Sequence, residues 1–361
     1  MKIKRAVLFV VVIIICGIIS MPGGKQLENH FVLDEPFCVF AQKKDVEVTH
    51  LFTHCLVAYP EIAFAKNNEM RLNYDKDCLT VNEFKAILNS LYERGFVLVS
   101  PSDVYEVKNN VAAKKTLNLN GKKPLILSFD DVNYYTKKMN LGMNDKLIVS
   151  NGRLATYTAN AKNKVNFDND VVTILENFVE KHPDFSFNNA KGTICLTGFD
   201  GILGYRTNRD SENRAAEIEK AKIVVDELKR RNWTFACHSY GHYHMKKLSD
   251  SRFSLDTDRW INEVENLIGK TDIYVYPYGE SEIDKNGYIT PKHKDLVSRG
   301  FKFFWGVGDS PFYGKVPFDK TIVKKYLFMD RIPLDGYSLK NIDLSKYFDV
   351  KSILDKEIRP K

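Results

Sequence analysis

Two short runs in this chain bring together residue types that can do chemistry. The first is Ser128-Phe129-Asp130-Asp131, which ends an apolar stretch. Adjacent carboxylates at a strand end repel each other unless a cation lies between them or one holds a proton. The plain alternative is a helix N-cap with a spare acidic residue. The second run is His238-Ser239-Tyr240-Gly241-His242, again directly after an apolar strand. Two imidazoles four positions apart converge on one ion if the segment turns helically, and an isolated pair is otherwise incidental. Together, Asp131, His238 and His242 offer one carboxylate and two imidazoles with coordination positions left open. That set suits a catalytic divalent metal, Zn²⁺ first.

The elements around these runs say where they sit. Thr80 is placed to cap a helix over residues 81–94, with Phe84, Ile87, Leu88 and Leu91 at helical spacing and Gly95 ending it. Strands are expected over 96–99, 125–129, 192–196, 233–237, 272–276, 301–305 and 326–330. Helices are expected over 168–181, 211–231, 259–268 and 292–298. Such alternation predicts an α/β fold, a distorted (β/α) barrel of about seven units preceded by an N-terminal membrane anchor. Asp130, Asp131, His238, Tyr278, Asp309 and Arg331 then fall at or just past strand ends, the face where a parallel barrel carries its active site.

At these residues the chain resembles the polysaccharide deacetylases, a carbohydrate esterase family, in a branch whose third motif reads Tyr-Pro-Tyr-Gly. The family's first motif, Thr-Phe-Asp-Asp, is here Ser128-Phe129-Asp130-Asp131, which implies Asp130 as general base and Asp131 as metal ligand. The second, His-Ser/Thr-x-x-His, is matched by His238 through His242 and implies both His as ligands. The third ends in Pro277-Tyr278-Gly279 and implies the Tyr278 backbone N–H in the oxyanion hole. The resemblance spans residues 50–335. Leu51-Phe52-Thr53-His54 is similar to a His-bearing strand of one branch, and 79–100 to its following helix and strand.

The departures are specific. Where the third motif usually carries Arg, Val275 stands, and the His that the fifth motif usually supplies as general acid is absent from 326–336. Arg331 stands there instead and is expected to orient Asp130; the alternative is a surface Arg paired with Asp330 or Asp335. His54, His244 or a protonated Asp130 are the candidate donors to the leaving amine. Trp305 and Asp309 are the candidates for a blurred fourth motif. Tyr134, Tyr135, Tyr240 and Trp305 are candidate sugar-stacking residues, and His54 and Pro277 further substrate contacts.

The resemblance implies a metal-dependent hydrolase that removes N-acetyl groups from a cell-wall or extracellular polysaccharide. Its rival is a catalytically impaired relative acting as a wall glycan-binding or scaffold module. A glycosidase fits less well, because adjacent carboxylates do not straddle a glycosidic bond.

Lys2, Lys4 and Arg5 precede an apolar run of about 16 residues, between a signal-peptide core and a full span. No small-x-small cleavage site follows, so residues 1–24 read as an uncleaved signal-anchor, 25–49 as a stalk, 50–345 as the catalytic barrel and 346–361 as a C-terminal tail. Positive charge stays inside, which places the barrel outside the cytoplasm on a single-pass membrane protein; a secreted form is expected if the signal is cleaved. A net charge of +7 without a dense basic block favours anionic surfaces and sets nucleic acid aside. No obligate protein partner is evident. Export permits disulfides, but among the six cysteines spacing assigns no pairing for Cys38, Cys55 and Cys78. Cys195 and Cys237 fall in apolar strands and Cys16 in the anchor.

Overall fold

Short, β-branched and aromatic runs form the strands, and those of the main sheet meet their neighbours in parallel. The structure, a computed structural model, describes residues 47–109, 111–281, 290–308 and 327–360. The signal-anchor, most of the stalk, Cys16, Cys38 and Asp309 lie outside the described residues. No helix among the described residues is long and apolar enough to cross a membrane.

The strands in chain order are β1 (Thr49–His54), β2 (Phe96–Leu98), β3 (Tyr105–Lys108), β4 (Val111–Lys114), β5 (Lys123–Asp130), β6 (Lys146–Ser150), β7 (Arg153–Tyr157), β8 (Val165–Asn166), β9 (Thr193–Leu196), β10 (Thr234–Cys237), β11 (Ile273–Val275), β12 (Phe303–Val307) and β13 (Leu327–Pro333). Seven of them run β1-β13-β12-β11-β10-β9-β5, and β5 pairs back onto β1, so the parallel sheet closes into a barrel. Leu125 pairs with both β1 and β2, and Asp130 with both β1 and β9. One edge of β5 thus serves β1, while β2 and β9 share the other.

The helices Val81–Glu93, Val171–Lys181, Arg214–Arg230 and Pro291–Ser298 make crossovers. Thr80 caps the first through a reciprocal bond with Glu83, and Gly95 follows it at φ +77°. The helix expected from residue 259 instead begins at Asp250, capped by Ser249, and passes through a π-helical segment at Ile261–Glu265. Two small antiparallel sheets, β3–β4 and β6–β7–β8, were not anticipated; both are excursions between barrel strands.

Alternation along the strands separates two cores. Ile126, Cys195, Val275, Trp305 and Leu327 fill the barrel interior, joined by Tyr105 and Ala112 from β3–β4. Cys237, Leu196, Phe129 and Phe304 face the surrounding helices. The segment assigned as a C-terminal tail carries the short helix Val350–Ile353, and Phe348 and Ile353 join that outer core. Cys55, Cys78, Cys195 and Cys237 are buried and free.

Candidate metal centre

β5 delivers Asp130 into the barrel, and the chain then turns at Asp131, which has φ 59°. The two carboxylates consequently part. Asp130 meets Arg331 in a bidentate pair, Oδ1 to Nη1 at 2.7 Å and Oδ2 to Nη2 at 2.9 Å. Asp131 Oδ1 accepts from the Tyr135 hydroxyl at 2.6 Å. Burial alone pushes the Asp130 carboxyl up, but the Arg331 guanidinium and the His238 imidazole together outweigh it and hold the group well below the usual carboxylate range. Burial likewise raises Asp131, and the His242 and His238 imidazoles bring it down to about 2.

β10 ends at Cys237, and the next five residues form the second motif. His238 Nδ1 donates to the Val275 carbonyl at 3.0 Å, which leaves the Nε2 lone pair to ligate a cation. Val275 therefore serves the site through its backbone oxygen. The turn itself is held from outside: Asp256 accepts the Tyr240 and Gly241 N–H groups, each at 2.8 Å, and Ser239 Oγ accepts the His242 N–H at 3.0 Å. These bonds stabilise a backbone in which Ser239 and His242 both have positive φ, 59° and 50°. Burial pushes the His242 imidazole down to about 4, so the ring is neutral near pH 7 and free to ligate.

One carboxylate oxygen of Asp131 and one nitrogen each of His238 and His242 lie within 4.8 Å of one another. His242 Nε2 is 4.0 Å from Asp131 Oδ2. A carboxylate with two imidazoles, one oriented by a backbone carbonyl, fits a divalent cation and leaves coordination positions open.

The third motif closes the site. Tyr278 has φ 56°, and its ring stacks on His244 at 4.1 Å while meeting His242 edge-on at 4.6 Å. Gly279, at φ +66°, lies where a Cβ would come within 2.7 Å of Val307 Cβ, so no larger residue fits without displacement. The resulting cavity, about 620 Å³, is lined by His54, Asp130, Asp131, His238, His242, Tyr278 and Arg331, among others.

Three expected substrate contacts are not in its lining. Trp305 is 1% exposed and packs inside the barrel, edge-on to His50. Tyr240 is buried with its hydroxyl on Glu263 at 2.8 Å and Arg209 over its ring. Pro277 is buried beside the lining residues Tyr276 and Tyr278. Aromatic type alone does not tell which face of an element a ring takes. Tyr134 is buried as well, and Tyr135 lines the cavity, stacked at 5.0 Å on the half-exposed Phe199. Cys237, the residue before the ligand candidate His238, belongs to the outer core. Sequence reading missed Phe199, Asp256 and, beyond the expected Asp130, the Ser128 and Gly306 partners of Arg331. The one available signal was β1 parity, which puts His50 and His54 on the same side.

Residues 203–290 match the family model for polysaccharide deacetylase, a span that holds the second and third motifs. No curated protein sequence matches the chain. Among solved structures, the Streptococcus pyogenes deacetylase PplD in complex with acetate is 15% identical, over 83% of this chain and 99% of that one, with a TM-score of 0.44. A polysaccharide deacetylase from Bacillus cereus is 12% identical over 81% and 67%, at 0.41. A CE4 family pseudoenzyme from Bacillus anthracis is 20% identical over 35% and 34%, at 0.22. With every score below 0.5, the barrel rests on the strand pairings of this chain alone. The match and the motifs it holds show a polysaccharide deacetylase domain over residues 203–290, and the first motif stands upstream of it in the expected order.

Proposed function

We propose that the chain hydrolyses N-acetyl groups on a cell-wall or extracellular polysaccharide, with a divalent cation, Zn²⁺ first, held by Asp131, His238 and His242. The observation that supports this most is the three-donor cluster sharing a cavity with a carboxylate already tied to a guanidinium. A cation held there would act as a Lewis acid toward the acetyl carbonyl and the attacking water.

The chain's own residues supply the rest. Asp130 takes a proton from the water as its oxygen bonds the acetyl carbon, and Arg331 keeps that carboxylate ionised and oriented. The Tyr278 N–H donates to the carbonyl oxygen as negative charge gathers on it. His54 lines the cavity and its Nδ1 donates to the Asp77 carbonyl at 3.0 Å; as the imidazolium, with a second proton on Nε2, it passes that proton to the amine as the C–N bond breaks, and the proton taken up by Asp130 then restores it. Acetate and a free amino sugar result. Arg331 thus stands in for the Arg that Val275 replaces, and His54 for the missing fifth-motif His. His244 suits that role less, being stacked on Tyr278 and paired with Glu280 at 2.8 Å.

Residues 1–24 would hold the barrel outside the cytoplasm as a signal-anchor, and protease added to intact cells would then degrade the barrel. The test of function is acetate release by the full chain from a panel of N-acetylated glycans. Chelator should abolish release and Zn²⁺ restore it. A metal-loaded chain that binds these glycans yet frees no acetate would be a scaffold, and the reading would fall.

A further inference from the structure

Beneath the Asp130–Arg331 pair lies a polar chain that the mechanism above leaves unused. Ser128 and His50 are 0% and 3% exposed, inside the barrel. Ser128 stands two residues before Asp130 on β5, and His50 is on the adjoining strand β1. Arg331 Nη1 donates to Ser128 Oγ at 3.1 Å as well as to Asp130, and Nε donates to the Gly306 carbonyl at 3.2 Å. The Phe52 ring lies 4.1 Å from the guanidinium carbon.

The direction of each bond follows from the inventory of protons. Arginine only donates, so Ser128 Oγ accepts from it and sends its own proton elsewhere. His50 Nε2 is 2.9 Å from that oxygen. Nε2 is the one acceptor that the described residues offer the Ser128 proton, so it presents a lone pair, and the ring proton is on Nδ1, which faces the weak acceptor Met329 Sδ at 3.3 Å. Trp305 meets the imidazole edge-on at 4.4 Å and 89°, which fixes the ring plane. Burial, then the Arg331 charge, lower the imidazole pKa well below its ordinary value and keep the ring neutral.

We propose that His50, with its proton on Nδ1, is a positioning residue that acts through Ser128 to fix the Arg331 guanidinium and so the orientation of the Asp130 carboxylate. This rests on the reading of Asp130 as the base. The guanidinium is held at three points: Gly306, Ser128 and Asp130 itself. Without the Ser128 bond it keeps only Gly306 as an independent anchor, and can shift together with the carboxylate it carries. Catalytic geometry tolerates about 0.5 Å of such movement, and a misplacement of about 1 Å can cost about 10²-fold.

The test uses the full chain, loaded with Zn²⁺, and acetate release from the best glycan of the panel. Ser128→Ala and His50→Leu should each lower kcat about tenfold or more, with KM and metal content unchanged. The double variant should be no slower than the worse single one, because both residues act along one chain. Ser128→Thr keeps the hydroxyl and His50→Gln offers an amide oxygen in place of Nε2, and both should recover most of the rate. A kcat within about twofold of wild type in folded Ser128→Ala, or losses that multiply in the double variant, would overturn the positioning role while leaving the proposed function intact. Imidazole ¹⁵N shifts read the tautomer whatever the activity, and a ring protonated on Nε2 would overturn it too. Failure of the wild type to release acetate from any glycan would sink the functional reading itself.

Discussion

Arg331 and Asp330 are neighbours on β13 with opposite electrostatic fates. The strand pleat turns Arg331 into the barrel, fully buried and paired with Asp130. Arg331→Ala would leave Asp130 buried without its partner, and turnover should fall about 10²-fold or more with metal content unchanged. Arg331→Lys keeps the charge but not the two-pronged geometry, and should recover stability better than rate. Asp330 is buried too, and that burial, only partly offset by Arg331, pushes its carboxyl up to about 7. A raised carboxyl pKa favours the protonated folded state, so its penalty is absent below about pH 4 and complete above about pH 7. Chemical denaturation should show Asp330→Asn gaining on wild type across that window, by at most about 4 kcal/mol. An equal stability difference at both ends would contradict this. The cluster residues were legible because two motifs name them locally. The Arg331–Asp130 contact was legible only as an expectation from strand ends, since 201 residues separate the partners.

Elements set the donors' geometry from a distance. The helix Asp250–Trp260 presents Asp256 to the backbone of the second motif, and the π-helical turn after it places Glu263 against Tyr240 and Arg209. A π turn shifts the side-chain phase, so the helix serves the motif and the barrel wall together; Trp260 Nε1 reaches the Leu196 carbonyl at 2.7 Å. Asp256→Ala removes two bonds from a turn with two left-handed residues, and should weaken metal affinity about 10- to 100-fold while His238 and His242 remain. Titration calorimetry on the apo protein would check it, and unaltered affinity would mean that Ser239 alone holds the turn. Helical periodicity identified most crossovers within a few residues. It missed the first half of this helix, where Arg252, Ser254, Asp256 and Asp258 dilute the apolar stripe. The two small sheets escaped for a different reason: strands of two to five residues carry too little alternation to stand out.

At the scale of the molecule, closure depends on the two ends of the described chain. β1 is the first strand and β13 the last, and they pair with each other. The segment after β13 returns to the helix Val81–Glu93: Arg359 places Nε and Nη2 on the Glu83 carboxylate at 2.7 and 2.6 Å, and Nη1 on the Asp75 carbonyl at 2.7 Å. Glu83 is the same residue that completes the Thr80 capping box. One buried carboxylate therefore ties a helix start to the last residues, which accounts for the packing of a segment that reads as a C-terminal tail. The capping box was legible in Thr80 and Glu83, but its long-range partner, 276 residues away, was not. Arg359→Ala leaves Glu83 buried and without its cation, a change that typically costs about 3–5 kcal/mol. Deletion of residues 346–361 should cost at least as much, because Phe348 and Ile353 leave the outer core with it. Both should appear as a fall in Tm of roughly 5–15 °C. Replacing Glu83 by Gln in the Arg359→Ala background should recover part of the loss, since it removes the stranded charge. A deletion variant that melts with the full chain would show that β13 alone closes the barrel and that the Glu83–Arg359 pair contributes nothing.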